Sequence, residues 1–441
     1  MMKEEIFPIL KLAGPVMLGR IGAILIVTID VAMCGYAGTR ELAYYGLANG
    51  PHVSLILIGI GSILPIAILT AKSDGAGNHV NCGMILRVGL MHALVIGIVL
   101  GILMQFGEEF FLVTGQNEEL SAGGGAVLAM HGLGLAGLLS MIAISLFLEG
   151  LQRPIPAMVV SIGVNFINVY LNWVFIFGNH GAPAMGAEGA ALATSIVRWV
   201  AVILLASYLL LSIDRVKYGL KEKMTQLRKI SKSLRELGNP TAIAHGMEST
   251  SFLILTLFAG YMGIAETAAW AIGLNILTIA FMIALGFGMA ASVRVANHLG
   301  RQQPHRAAGS GWIAYRLGVV VLGLLAFVFL GFPEQMTKIY SQQPSVLQLA
   351  VPMMLIAAFA VTLDGMQAVA VGILRGYQDM WYITLSLTCS FWVVMIPLWF
   401  FGFKLEYGPS GLMASILFAA LTANIMLLVR FRILDRRLRS T

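Results

Sequence analysis

Twelve runs of about 20 mostly apolar residues divide this chain, each long enough to cross a hydrocarbon layer as a helix. They lie near residues 10–35, 46–70, 84–105, 124–148, 156–178, 187–211, 240–260, 267–291, 309–331, 347–373, 381–402 and 410–431. Lipid offers no partner to an exposed backbone N–H or C=O, so runs of this length specify helices. The expectation is an all-α polytopic membrane protein with twelve transmembrane helices. Composition agrees: 58% of residues are hydrophobic and 11% charged, against about 25% charged in soluble domains. The opening MMKEEIFPILKLAGP is too short and too acidic ahead of the first run for a cleaved leader, so the first helix is expected to be retained.

The connections sort by charge. Alternate ones hold Lys3 and Lys11; Lys72 and Arg87; Arg153; Arg215 to Arg235; Arg294, Arg301, Arg306 and Arg316; Arg375; and Arg430 to Arg439. The opposite set holds Arg40, Lys338 and Lys404, so bases divide 23 against 3. Positive connections stay inside, which predicts both termini in the cytoplasm. The net charge of +7 is therefore a topology signal, and nucleic acid is not an expected partner. Cys34, Cys82 and Cys389 are far apart and give neither a disulfide framework nor zinc-ligand spacing. The eight histidines show no HExxH or paired spacing and read as loop or packing residues. No GxSxG or GxxxxGK[ST] occurs, so the chain reads as a non-enzyme without ATPase machinery or cofactor, drawing energy from an ion gradient.

The chain also repeats. LAGP at Leu12 returns as LGNP at Leu237, FLEGLQRPIPAM at Phe147 as ILRGYQDMWYIT at Ile373, and AEGAALATS at Ala187 as PSGLMASIL at Pro409, with a nearly constant offset between the copies. This predicts a six-helix lobe over 1–211, a basic cytoplasmic linker over 212–238 and a second six-helix lobe over 239–441. With six spans each, the lobes are parallel repeats related by pseudo-two-fold symmetry about the membrane normal, an architecture that binds small molecules near the midplane.

Three acids lie inside apolar runs: Asp30 in LIVTIDVAMCG, Glu248 in AIAHGMESTSFLIL and Asp364 in AVTLDGMQAVAV. Each costs roughly 2.5–3.5 kcal/mol at a bilayer centre, so all three are expected to bind a cation or proton. Asn168 and Asn172 share a helix face with i,i+4 spacing, and their amides suit a carboxylate. Thr194 is expected to join them, and Asn165 is a further amide of the same run. Glu248 and Asp364 lie at similar depth and form a second expected site, with oxygens suited to Na⁺ or protons. Gln367 and Asn275 are accessory polar candidates there. Two membrane bases remain: Arg20, about 15 Å along the helix from Asp30 and out of its reach, and Arg198, near mid-span.

Taken together, the first-run Asp30 after its AGP opening, INVYLNWVFIFG followed by GAPAMGAEGAALAT, GNPTAIAHGMESTSF and TLDGMQAVAVGILRGYQDM resemble the multidrug and toxic compound extrusion (MATE) transporters, in their NorM-like bacterial branch, over nearly the whole chain. The resemblance implies two six-helix lobes and H⁺- or Na⁺-coupled antiport. The cargo it implies is small organic molecules, cationic or amphipathic, exported by alternating access from a bacterial inner membrane. A monomer among membrane lipid is the expected state. By position, the resemblance makes Asp30, Asn168, Asn172 and Thr194 a first-lobe network, and Glu248 and Asp364 the second-lobe cation site. An aromatic expected one turn before the tenth-run acid is Ala360 here. Arg20 and Arg198 also depart from a pocket for organic cations and keep open an alternative, a flippase of lipid-linked precursors in the same superfamily.

Overall fold

The computed structural model describes residues 2–220, 225–405 and 407–439. Part of the expected linker, residues 221–224, lies outside the described residues. Every regular element among those described is helical.

Eleven helices are long and apolar enough to cross a membrane, and a bent pair makes the twelfth span. In chain order they are α1 (Glu4–Ala37), α2 (Thr39–Gly75), α3 (His79–Val113), α4 (Glu118–Leu133 with Leu135–Gly150), α5 (Ile155–Phe177) and α6 (Gly186–Ser212). The second six are α7 (Leu227–Met262), α8 (Ala265–Gly300), α9 (Pro304–Gly331), α10 (Pro344–Gly376), α11 (Met380–Phe400) and α12 (Gly408–Arg437). The fold is thus the twelve-helix class read from the runs. The helices outlast the apolar runs, and one consequence is a correction: Arg294, assigned above to a connection, lies within α8 and is buried.

The chain forms two compact units, Leu18–Ala242 and Met1–Met17 with Ile243–Thr441. They are called here the N-terminal and C-terminal units. The first residues of α1 therefore belong with α8 to α12 and the part of α7 from Ile243 on.

In the N-terminal unit α3 packs on the second half of α4, α4 on α6, and α5 on α6. Small residues permit the approach: a Cβ added at Gly97 or Gly101 would strike the backbone of Ala136 or Gly132 across the α3–α4 crossing. At Gly134 α4 bends by 43°. The bend has a local chemical cause. The Gly134 amide bonds the His131 carbonyl at 3.2 Å, three residues back, and so does not serve Met130 in the helical pattern. Ser195 Oγ of α6 donates to the Met130 carbonyl at 2.7 Å, and Trp199 Nε1 of α6 donates to the Leu133 carbonyl at 3.1 Å. Gln105 of α3 supplies the Ala129 carbonyl at 3.1 Å. Carbonyls at the bend are thereby satisfied from neighbouring helices, as lipid requires.

In the C-terminal unit α10 is unbroken and packs along α8, α9 and α12. Gly288 and Gly372 bring α8 and α10 into backbone contact, leaving no room for a Cβ at Gly372. A π-helical turn, Cys389–Met395, interrupts α11 and carries Trp392. The start of α1 is fastened in this unit through Glu5. Arg294 Nη2 donates to Glu5 Oε2 at 2.7 Å and Oε1 at 2.8 Å, His298 Nε2 lies 3.0 Å from Oε1, and Ser310 Oγ donates to Oε2 at 2.9 Å.

Candidate functional site

Asp30 lies seven residues before the end of α1 and is fully buried. The α1–α5 face that carries it is fixed by two side chains reaching across to backbone carbonyls. Ser161 Oγ bonds Gly19 O at 2.7 Å and Asn165 Nδ2 bonds Gly22 O at 3.0 Å. Asn165 thus ties helices together and does not reach Asp30. One turn and two turns on, Asn168 and Asn172 share a face and turn inward.

Three neutral donors surround the carboxylate. Asn172 Nδ2 donates to Oδ1 at 2.7 Å, while Thr194 Oγ1 and Tyr45 Oη donate to Oδ2 at 2.6 and 3.0 Å. Asn168 stands behind them, donating to Thr194 Oγ1 at 3.0 Å and accepting from Asn172 at 3.3 Å. Hydroxyls and amides of this kind stabilise a negative charge without neutralising it, so a proton or cation still has something to bind. Tyr45 is the member that residue patterns alone had not pointed to.

Behind Tyr45 the polar chain continues. Its ring edge meets His131 with centroids 5.6 Å apart, His131 stacks on His52 at 4.0 Å, and Arg198 Nη2 lies 3.1 Å from His52 Nε2. The bend in α4 sits three residues after His131. Residues of five helices, α1, α2, α4, α5 and α6, are therefore joined in one buried patch. Arg20 lies elsewhere, 3.8 Å from Glu149 of α4.

The acids of the C-terminal unit are held differently. Asp364 is 5% exposed and Gln367, one turn on along α10, is 2% exposed. Among the described residues neither Asp364 Oδ1 nor Gln367 Oε1 has a hydrogen-bond partner. Two buried acceptors without donors, at i,i+3 on one face, form an arrangement that a proton or a small cation would satisfy. Glu248 of α7 lies within electrostatic reach of Asp364. Trp392 Nε1 donates to the Met247 carbonyl beside it at 3.0 Å. Towards the end of α10, His245 Nδ1 lies 3.7 Å from Glu248 Oε2, and Arg375 Nη2 lies 3.3 Å from His245 Nε2. Asn275 bonds Tyr340 Oη at 3.0 Å and takes no part in this cluster. Among the described residues no group of three or more His, Cys, Asp and Glu is placed to hold a metal ion.

Buried acids in each of two repeated bundles of membrane-length helices are the construction of a secondary transporter. The chain belongs to the MatE family, whose model matches residues 15–174 and 240–401. It is 30% identical over 437 residues to the probable multidrug resistance protein NorM of Caulobacter vibrioides, covering 98% of this chain and 92% of that one. It is also 30% identical over 400 residues to the multidrug resistance protein NorM of Vibrio cholerae, covering 90% and 87%. Its fold matches the crystal structure of the eukaryotic MATE transporter AtDTX14 with a TM-score of 0.90, at 20% identity and with 100% and 99% coverage.

Proposed function

We propose that this protein exports small amphipathic organic molecules across the bacterial inner membrane in exchange for H⁺ or Na⁺, by alternating access. The observation that carries the reading is Asp30: a fully buried carboxylate with three neutral donors and, among the described residues, no cationic group in contact. Such a site holds a negative charge ready for a proton, a metal cation or an organic ammonium, but not for two at once. That exclusion supplies the coupling. An ion entering down its gradient removes the charge that retained the cargo, and the cargo leaves. The orphan acceptors Asp364 Oδ1 and Gln367 Oε1, with Glu248 within electrostatic reach of Asp364, support a second ion site in the C-terminal unit. The names borne by the two NorM relatives support export of drugs as the physiological task.

The lipid-linked alternative asks for a strongly cationic site. Arg20 has Glu149 beside it, which leaves Arg198 as the single membrane arginine of the expected pair that lacks an acid, against the three acids Asp30, Glu248 and Asp364. The balance favours the exporter.

The test is efflux of a fluorescent organic cation from proteoliposomes under an imposed Na⁺ gradient or an imposed pH gradient. Wild type should respond to one gradient, and both Asp30→Asn and Asp364→Asn should lose at least nine-tenths of that flux. Undiminished gradient-driven flux in both variants would remove the acids from the mechanism.

A further inference from the structure

Among the described residues two arginines are less than a tenth exposed, and they are treated in opposite ways. Arg294 grips Glu5 through both Nε and Nη2. Arg198 has no carboxylate in ion-pair contact. Its Nη2 meets His52 Nε2 at 3.1 Å, and its Nη1 is buried with no partner. A guanidinium only donates, so His52 Nε2 is the acceptor and the His52 proton sits on Nδ1. His131, stacked on His52, likewise has a buried Nδ1 without a partner. A buried charge with no opposite charge in contact is poorly stabilised. The acid of this patch is Asp30, within electrostatic reach of Arg198 but not in contact with it, and already surrounded by three donors.

The patch therefore contains one fixed negative and one fixed positive group, with free hydrogen-bonding capacity at the positive end. A simple organic cation entering it is drawn by Asp30 and repelled by Arg198, and the repulsion is strong because the surroundings are apolar. A molecule carrying both an ammonium and a carboxylate, or another anionic group, gains at both ends. We propose that the site of the N-terminal unit is bipolar and that Arg198 is its specificity-determining residue, selecting zwitterionic organic molecules over simple organic cations. This rests on the export reading given above and names its substrate class.

A matched pair of dyes tests it: tetramethylrhodamine, which carries a free carboxylate, and tetramethylrhodamine methyl ester, in which that charge is masked. Fluorescence polarisation on the purified full chain gives the ratio of the ester's Kd to the free acid's. Wild type should bind the free acid more tightly, Arg198→Gln should lower the ratio at least tenfold, and Arg198→Lys, which retains the charge, should keep most of it. A wild type that prefers the ester, or a ratio that Arg198→Gln leaves unmoved, overturns the proposal. If Arg198→Gln does not fold, the wild-type preference and its retention in Arg198→Lys decide. Binding of neither dye, together with no gradient-driven movement of either in proteoliposomes, would overturn the export reading itself. Binding of both without a dependence on Arg198 overturns only the charge selection.

Discussion

Asp30 and Asp364 differ in what surrounds them more than in how deeply they lie. Asp30 is 0% exposed and receives three side-chain donors, whereas Asp364 is 5% exposed and one of its oxygens receives none. The first acid is solvated in advance by fixed dipoles. Among the described residues the second has no such shell, and another carboxylate, Glu248, lies within electrostatic reach of it. The repeat makes the contrast sharper: the alignment that lays LAGP on LGNP carries Arg20 onto His245, and the one that lays FLEGLQ on ILRGYQ carries Glu149 onto Arg375. Each unit thus has a basic or imidazole side chain on one helix facing a charged partner on another, at equivalent places, with the acid of α4 replaced by a base in α10. Duplicated helices have kept the position of a polar contact and changed its charge from an acid–base pair to two nitrogen bases.

This comparison makes predictions that descend in size. Replacing two of the donors to Asp30 at once, Asn172→Leu with Thr194→Val, should lower unfolding stability by about 3 kcal/mol, since each bond to a charged group contributes about 1.5–3 kcal/mol. Differential scanning fluorimetry in detergent measures it, and an unchanged melting temperature would mean the dipoles do not solvate the acid. Tyr45→Phe, which removes one donor, should cost about 1–2 kcal/mol, between the values for charged hydrogen bonds and for typical interhelical ones. Ser195→Ala strands the Met130 carbonyl at the α4 bend and should cost about 1–2 kcal/mol, within the range for a buried acceptor left unsatisfied. Gln367→Met should go the other way: it removes a buried acceptor that has no partner, so stability should stay within about 0.5 kcal/mol of wild type or rise. A loss of about 2 kcal/mol there, the size expected when a buried partner is stranded, would show that Gln367 is satisfied and that the two sites are more alike than their hydrogen bonds indicate.

The twelve spans were readable because an apolar run of membrane length leaves a chain in lipid few alternatives to a helix. The bend of α4 was not, since one glycine among apolar residues looks the same in a straight helix and a broken one. Its carbonyls are served by Ser195 and Trp199, which stand 65 and 66 positions along the chain from the groups they bond. The contact of Asn172 and Thr194 with Asp30 could be anticipated from helical spacing and from the MATE resemblance. Tyr45, His52 and His131 could not: Tyr45 and His52 share α2 but neither has a charged residue beside it in sequence to mark it, His131 stands on α4, and only packing brings them to Asp30 and Arg198. Arg294 was misplaced for a related reason: a helix that continues past its apolar run reads as a connection, and the Glu5 partner that makes burial tolerable lies 289 residues away.

The bend in α4 also has a bearing on how the chain is made. Two of the donors that cap its loosened carbonyls, Ser195 and Trp199, belong to α6, which leaves the ribosome after α4 and α5 have been synthesised. A nascent α4 in lipid has no such donors, and an uncapped carbonyl there costs several kcal/mol. It should therefore enter the bilayer straight and acquire its bend only when α6 docks. Thr194 and Arg198 reach the buried polar patch on that same helix, so the patch is completed as an act of assembly and not of insertion.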